Sequence, residues 1–324
     1  MKNLKNVVLF IIAIMFLLTI KTLAFNPADV ETIKNEDGSI TKIYRRNVNV
    51  GLRSAVNVDY EETKKMLLEL GMEQDFIDNL TDEDLEHYSN STNLVGTITY
   101  HKTDENNNKT VVSEDEAYQE VNRIKNNMSL RSAREQDTYE DSYMRVYHLV
   151  SQYRDTEEFL FSTDARWLTM PYFRGKDSIG SCAEYISINN NDGRGYISYD
   201  IRTHNYGAVD IKEYRKNIYN EDFEYSFKGK YTGKAAIIDL PNNHYGNGYN
   251  IINDNFKVHA QFYGSITEYE QGIIFNSFGT YDHTKIKVTA PSISIDLSGP
   301  SIGIDAFLGS EPRTAMVKVR YSPR

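Results

Sequence analysis

Seven histidines and one cysteine are the side chains of this 324-residue sequence best suited to proton transfer, metal binding or nucleophilic attack. The histidines are His87, His101, His148, His204, His244, His259 and His283. No two stand at the four-residue helical spacing of a zinc protease, and none joins Cys182 in a finger spacing. No metal centre and no cofactor is therefore predicted. Asp200, His204, Asp282 and His283 carry the groups of a carboxylate–imidazole hydrolase, provided that the fold brings them together. A calcium loop around Asn191-Asp192-Gly193 would need an acidic residue at Ile188 and a glutamate at Tyr199, so that run reads as a hairpin turn. A lone cysteine forms no intramolecular disulfide, and Cys182 reads as a small buried apolar residue.

Aromatic side chains are the stronger signal. The chain has 24 tyrosines and a single tryptophan. Trp167 opens the run Trp167-Leu168-Thr169-Met170-Pro171-Tyr172-Phe173, which crosses from a strand into a proline-containing loop. Rings with a polar tip offer flat area to sugars and protein surfaces at low entropic cost. Trp167, Tyr172 and Phe173 are accordingly the candidate binding residues.

The elements that must position these groups follow from pattern and punctuation. Residues 1–24 carry Lys2 and Lys5, an apolar run over 7–20 and a small residue, Ala24. That is the pattern of a secretory signal peptide, and the run is short for a bilayer span. Cleavage near Ala24 predicts a secreted protein; an uncleaved segment would anchor the chain in a membrane. Residues 25–160 hold 28 acidic and 15 basic side chains, whereas 161–324 hold 18 of each. This balance argues against nucleic acid and against anionic bilayers as partners of the acidic part.

Within the acidic α+β region, 25–128, Asp37-Gly38 marks a hairpin between strands near 32–34 and 40–44. Asp59, followed by Glu61, Glu62 and the stripe Met66, Leu67, Leu70, predicts a capped helix that Gly71 ends. Thr81 with Asp84 and Ser113 with Glu116 open two more. Arg45-Arg46 reads as a solvated strand end, although a processing protease would accept it. Residues 129–142 are polar and aperiodic, a linker. From 143 to 324 short strands separated by turn signals recur, predicting an antiparallel, sandwich-like β domain. Only 211–218 has a competing helical spacing.

The stretch Leu70-Gly71-Met72-Glu73-Gln74-Asp75-Phe76-Ile77-Asp78-Asn79-Leu80, behind such a signal peptide, resembles short helical segments in uncharacterised secreted proteins of Gram-positive bacteria. It implies an exported, bacterial setting and carries no catalytic motif.

One segment points elsewhere. Ile286-Lys287-Val288-Thr289, Ser292-Ile293-Ser294-Ile295-Asp296-Leu297 and Ser301-Ile302-Gly303-Ile304-Asp305 alternate apolar with polar residues around Gly299-Pro300. A membrane-inserting β-hairpin has this period, and so does an ordinary sandwich hairpin. Each uninterrupted run, about six residues, is short of the roughly 9–11 that a spanning strand needs. The fold class expected is thus α+β, a small acidic α+β region followed by an antiparallel all-β domain. The leading functional expectation is a secreted, non-catalytic binding protein that engages an extracellular glycan, cell wall or protein surface through aromatic rings. A β-pore-forming or antagonistic protein, the only reading with a membrane partner, is the first alternative. A hydrolase with a dispersed Asp/His site is the second.

Overall fold

Local signals build the acidic stretch as their chemistry requires. In the computed structural model, which describes residues 29–46, 59–104, 108–128, 142–154, 156–170, 174–189, 191–205, 208–246, 249–267, 272–283, 292–296, 301–304 and 311–321, β1 (Val30–Lys34) and β2 (Ile40–Arg45) form an antiparallel hairpin. Gly38 turns it at φ +87°, a backbone conformation that side-chain-bearing residues rarely adopt. Helix α1 (Tyr60–Glu69) is capped by Asp59, whose carboxylate accepts the Glu62 N–H, and it buries Met66 and Leu67. The short α2 (Gln74–Ile77) buries Phe76 and Ile77. In α3 (Asp82–Asn90), Thr81 and Asp84 exchange side-chain and backbone hydrogen bonds in a full capping box. Beyond β3 (Ser91–Thr103) and β4 (Lys109–Val112) lies α4 (Glu114–Met128).

The rest is antiparallel strand. The large sheet runs β1-β2-β3-β5-β6-β14-β9-β10, where β5 is Ser142–Tyr153, β6 Glu158–Trp167, β9 Arg194–Asn205, β10 Ala208–Ile218 and β14 Tyr249–Ile266. Strands β4, β8 (Ile186–Ile188) and β13 (His244–Tyr245) attach to its sides. The smaller sheet runs β11-β12-β7-β15-β18, with β7 Lys176–Glu184, β11 Phe223–Lys228, β12 Tyr231–Asp239, β15 Ile274–His283 and β18 Glu311–Arg320. A separate two-stranded sheet pairs β16 (Ile293–Asp296) with β17 (Ser301–Ile304). The chain is therefore mostly antiparallel β with few helices.

One open sequence reading is decided. Residues 211–218 are strand, because all eleven residues of β10 pair in register with β9. Ile211, Tyr214 and Ile218 have helical spacing, but β10 exposes Ile211 and Tyr214 at a sheet edge. The acidic and neutral stretches also share one sheet, since β3 pairs with β5 from Ser91↔Tyr153 to Thr103↔Ser142. The linker expected over 129–142 lies outside the described residues except for Ser142, as do residues 1–28 with the expected signal peptide.

The faces of the large sheet do different work. One row across it reads Tyr147, Asp164, His259, Tyr196, and the next reads Arg145, Arg166, Lys257, Ser198, Arg215. The acidic helices lie on this face. Glu73 reaches Arg166 at 3.1 Å and Arg145 at 3.8 Å, and Asp75 pairs with Lys257. Part of the charge asymmetry in the sequence is thus an internal complement, helix carboxylates over a basic sheet row. Asp84 extends it, accepting from Gln261 at 2.5 Å and pairing with Arg194. Burial works against the Asp84 carboxylate, but Arg194, Thr81 and Gln261 outweigh it and hold the pKa below the usual range. Arg194→Ala is expected to cost about 3 kcal/mol by leaving that buried charge unpaired. Chemical denaturation checks this; a loss well under 1 kcal/mol would show that Asp84 does not need Arg194.

The opposite face packs on the smaller sheet through Phe159, Phe161, Phe275, Val317 and Val319, and through Val146, Trp167, Ile179 and Tyr281. Polar pins cross this interface as well. His148 Nε2 lies 2.7 Å from Ser277 Oγ on β15, and its Nδ1 lies 3.0 Å from the Ser162 carbonyl.

Candidate functional sites

Trp167, the first candidate binding residue, is 2% exposed. Its indole N–H donates to the Tyr281 hydroxyl at 3.2 Å, and the Arg313 guanidinium lies over its ring at 4.8 Å from the centroid. The ring fills the space between the sheets, so it presents no surface to a ligand. Tyr172 and Phe173 lie outside the described residues. Trp167→Ala is expected to destabilise the fold by about 3–5 kcal/mol, as aromatic truncations in cores do. A denaturation midpoint unchanged by the substitution would refute the core role.

The four dispersed Asp and His residues do not assemble. Asp200 and His204 lie on β9 of the large sheet, Asp282 and His283 at the end of β15 in the smaller one. His283 Nδ1 instead meets Asp177 at 2.9 Å, and Asp177 also accepts from Tyr281 at 2.5 Å. Cys182 is fully buried, and burial pushes its thiol pKa far up, which leaves no thiolate for attack. The letters Gly-x-Ser-x-Gly occur at Gly299-Pro300-Ser301-Ile302-Gly303, yet Ser301 opens a strand of a β-hairpin. A nucleophile elbow requires a strand-to-helix turn there. Among the described residues no group of three or more His, Cys, Asp or Glu is arranged to hold a metal ion.

Two places remain. The first is the β16–β17 hairpin. Strands β15 and β18 pair in register up to His283↔Glu311, so the chain leaves and re-enters the smaller sheet at adjacent points. The 27 residues between, 284–310, include the alternating segment. Instead of prolonging β15 and β18, its described part forms a separate small sheet lying on β7, β12 and β15. Ile295 and Ile302, paired across it, are buried against Cys182, Ala235 and Phe278. Gly233 and Gly303 allow the close approach: a Cβ on Gly233 would stand 2.7 Å from Ile302 Cδ1, and one on Gly303 2.6 Å from an Asp282 carboxylate oxygen. Ile293 N–H donates to Glu224 at 3.2 Å.

The hold is modest. Two fully buried isoleucines contribute roughly 3–6 kcal/mol before the entropy of ordering the hairpin is subtracted. Counted from the root, the arms are 284–296 and 301–310, thirteen and ten residues. Both reach the roughly 9–11 residues of a spanning strand, which the short uninterrupted runs alone do not.

The second place is a cavity of about 380 Å³ between α3, the start of β6, the loop before β9 and the end of β14. Glu83, Glu86 and His87 line one side, Tyr153 and Glu158 another, Asn189, Asp192 and Tyr263 the rest. The His87 ring stacks on Tyr153 at 5.3 Å and meets Tyr263 edge-on at 5.1 Å. Burial lowers the His87 pKa to about 4, so the imidazole is neutral at pH 7. Burial raises the Asp192 pKa, with Arg194 opposing. Apart from Tyr153 and Glu158, at the facing ends of β5 and β6, these groups come from elements far apart in sequence, and no motif announces the cavity.

No family model matches the chain, and no curated protein matches it. Among solved structures the likenesses are weak. One described as "AvmM Catalyzes Macrocyclization in Alchivemycin A Biosynthesis" is 10% identical, over 51% of this chain and 81% of that one, with a TM-score of 0.21. The Clostridium perfringens NetB toxin in its membrane-inserted form is 10% identical, over 56% and 91%, at 0.18. Clostridium perfringens delta-toxin is 5% identical, over 70% and 88%, at 0.17. Scores this low carry no weight for fold or function.

Proposed function

We propose that the protein is a secreted, membrane-inserting β-hairpin protein, a pore former or an antagonist of other cells, exported by the signal peptide 1–24. The acidic α+β region serves as a cover on the sheet, and the C-terminal sheets carry the inserting element. The observation that supports this reading is the root of the hairpin. A segment of spanning length, which alternates on either side of Pro291, is interposed between two strands paired to their ends, and its described part lies back on their sheet. In lipid the same segment would continue β15 and β18, with Ile286, Val288, Ile302, Ile304 and Leu308 on one face and Lys285, Lys287, Ser301, Gly303 and Asp305 on the other, the alternation changing face at Pro291. In that register Ile286, Val288, Ile302, Ile304 and Leu308 share one face and would return about 7 kcal/mol or more at roughly 1.5 kcal/mol each, above the hold of two isoleucines.

Release of calcein from lipid vesicles by residues 25–324 tests the proposal. A variant with 292–304 replaced by a short Gly-Ser loop leaves the β15–β18 pairing intact. The wild type is expected to release dye and the folded variant to release none. Equal release by both, or none by the wild type across neutral and anionic vesicles, would overturn it.

A further inference from the structure

The cavity beside α3 lies apart from the hairpin and is partly open to solvent. His87 is 4% exposed and lies with its Nε2 3.0 Å from Ser151 Oγ. Among the described residues Ser151 is the only hydrogen-bond partner of the ring, which leaves Nδ1 without one, and the residue lines the cavity. A neutral imidazole that donates from Nε2 to Ser151 offers a lone pair at Nδ1, which wants an N–H or O–H from outside.

The surrounding groups want the same thing. Arg194 is taken by Glu83 at 3.1 Å and by Asp84, and Arg154 lies over the Tyr153 ring at 5.1 Å with Asn90 as its hydrogen-bond partner. Among the described residues the carboxylates of Glu86 and Glu158 have no hydrogen-bond or ion-pair partner, and both line the cavity. The wall is thus rich in acceptors and carries uncompensated negative charge, with the half-buried rings of Tyr153 and Tyr263 as its flat surfaces.

A ligand that satisfies all of these groups has several O–H or N–H donors, a positive charge and a flat, partly apolar face. We infer that the cavity binds an amino sugar with a free ammonium group, as a single ring or a disaccharide. The volume of about 380 Å³ suits that size, below the upper range of small-molecule sites. Hydroxyls and ammonium meet His87 Nδ1, Glu86 and Glu158, and the sugar's C–H face lies on tyrosine.

Calorimetric titration of the full mature chain with the β1,4-linked glucosamine dimer tests this, beside its N-acetylated counterpart and cadaverine. The amine dimer is expected to bind, with the acetylated dimer about tenfold or more weaker because it lacks the charge-assisted bonds. Cadaverine, which has charge without a ring, is expected to bind as weakly. Glu86→Gln and Glu158→Gln break no contact in the fold, so their melting temperatures should match the wild type while binding falls about tenfold in each. Binding of neither sugar, equal binding of both, or affinity unmoved by the two variants would overturn the inference. Cadaverine matching the amine dimer would overturn the sugar as ligand.

Discussion

Lowering the pH from 6.5 to 4 is expected to remove most of the stability of this fold. Burial lowers the pKa of His87 to about 4 and those of His101 and His148 to about 3, in His101 with help from Arg313 and Lys109. The ordinary value, near 6.5, applies to the unfolded chain. Each imidazole therefore takes up its proton only on unfolding throughout that window. Their contribution is intact above about pH 6.5 and is lost as the pH falls towards 4, on the order of 3 kcal/mol for each. His259 runs the other way: burial lowers its pKa, but Asp164 at 2.5 Å outweighs this and raises it. Its pairing adds stability at low pH that fades as the pH rises through the raised value. The balance still favours acid lability on a scale comparable to the roughly 5–15 kcal/mol of a whole domain.

His148 gives this lability a location. Its neighbours are Ser162, Thr163 and Ser277, none of which carries charge to accommodate an imidazolium. Ser277 lies on β15, the strand from which the hairpin departs. Urea midpoints measured from pH 7 to pH 4 should fall steeply, and His148→Gln should flatten the slope by about one proton's worth, roughly 1.4 kcal/mol per pH unit. Dye release should quicken over the same range. A midpoint flat between pH 6.5 and 4.5 would refute the buried, neutral imidazoles.

Local chemistry was legible in the sequence where it acts over a few residues. The Asp37-Gly38 turn, the Asp59 cap and the Thr81–Asp84 box all appear where residue type and spacing put them. Strand β10 was not, because Ile211, Tyr214 and Ile218 mimic a helical stripe, and only pairing with β9 decides against it. Trp167 was misplaced because the proline after it suggested a loop edge, whereas its partners Tyr281 and Arg313 come from more than a hundred residues away. The cavity has the same difficulty: His87, Tyr153, Glu158, Asp192 and Tyr263 meet only through the large sheet. The alternating segment was visible, but its spanning length was not, since that depends on β15 and β18 being neighbours up to His283 and Glu311.

That pairing makes the central claim open to a direct test with the single native thiol. Ile302 packs against Cys182 in the seat of the hairpin, and a Cβ placed on Gly233 would stand 2.7 Å from Cys182 Cβ and from Ile302 Cδ1 alike. An Ile302→Cys variant puts a second thiol near the first. Refolding it in glutathione disulfide, which is reduced as the bridge forms, closes the bridge while Cys182 is still accessible, and a thiol count reports whether it has closed. A closed bridge ties β17 to β7 and prevents the hairpin from leaving its sheet. Calcein release from vesicles, measured on the bridged protein before and after reduction with dithiothreitol, is the measurement to make. Release should be abolished in the bridged form and recover on reduction. Equal release from the bridged and reduced protein would contradict insertion of this hairpin.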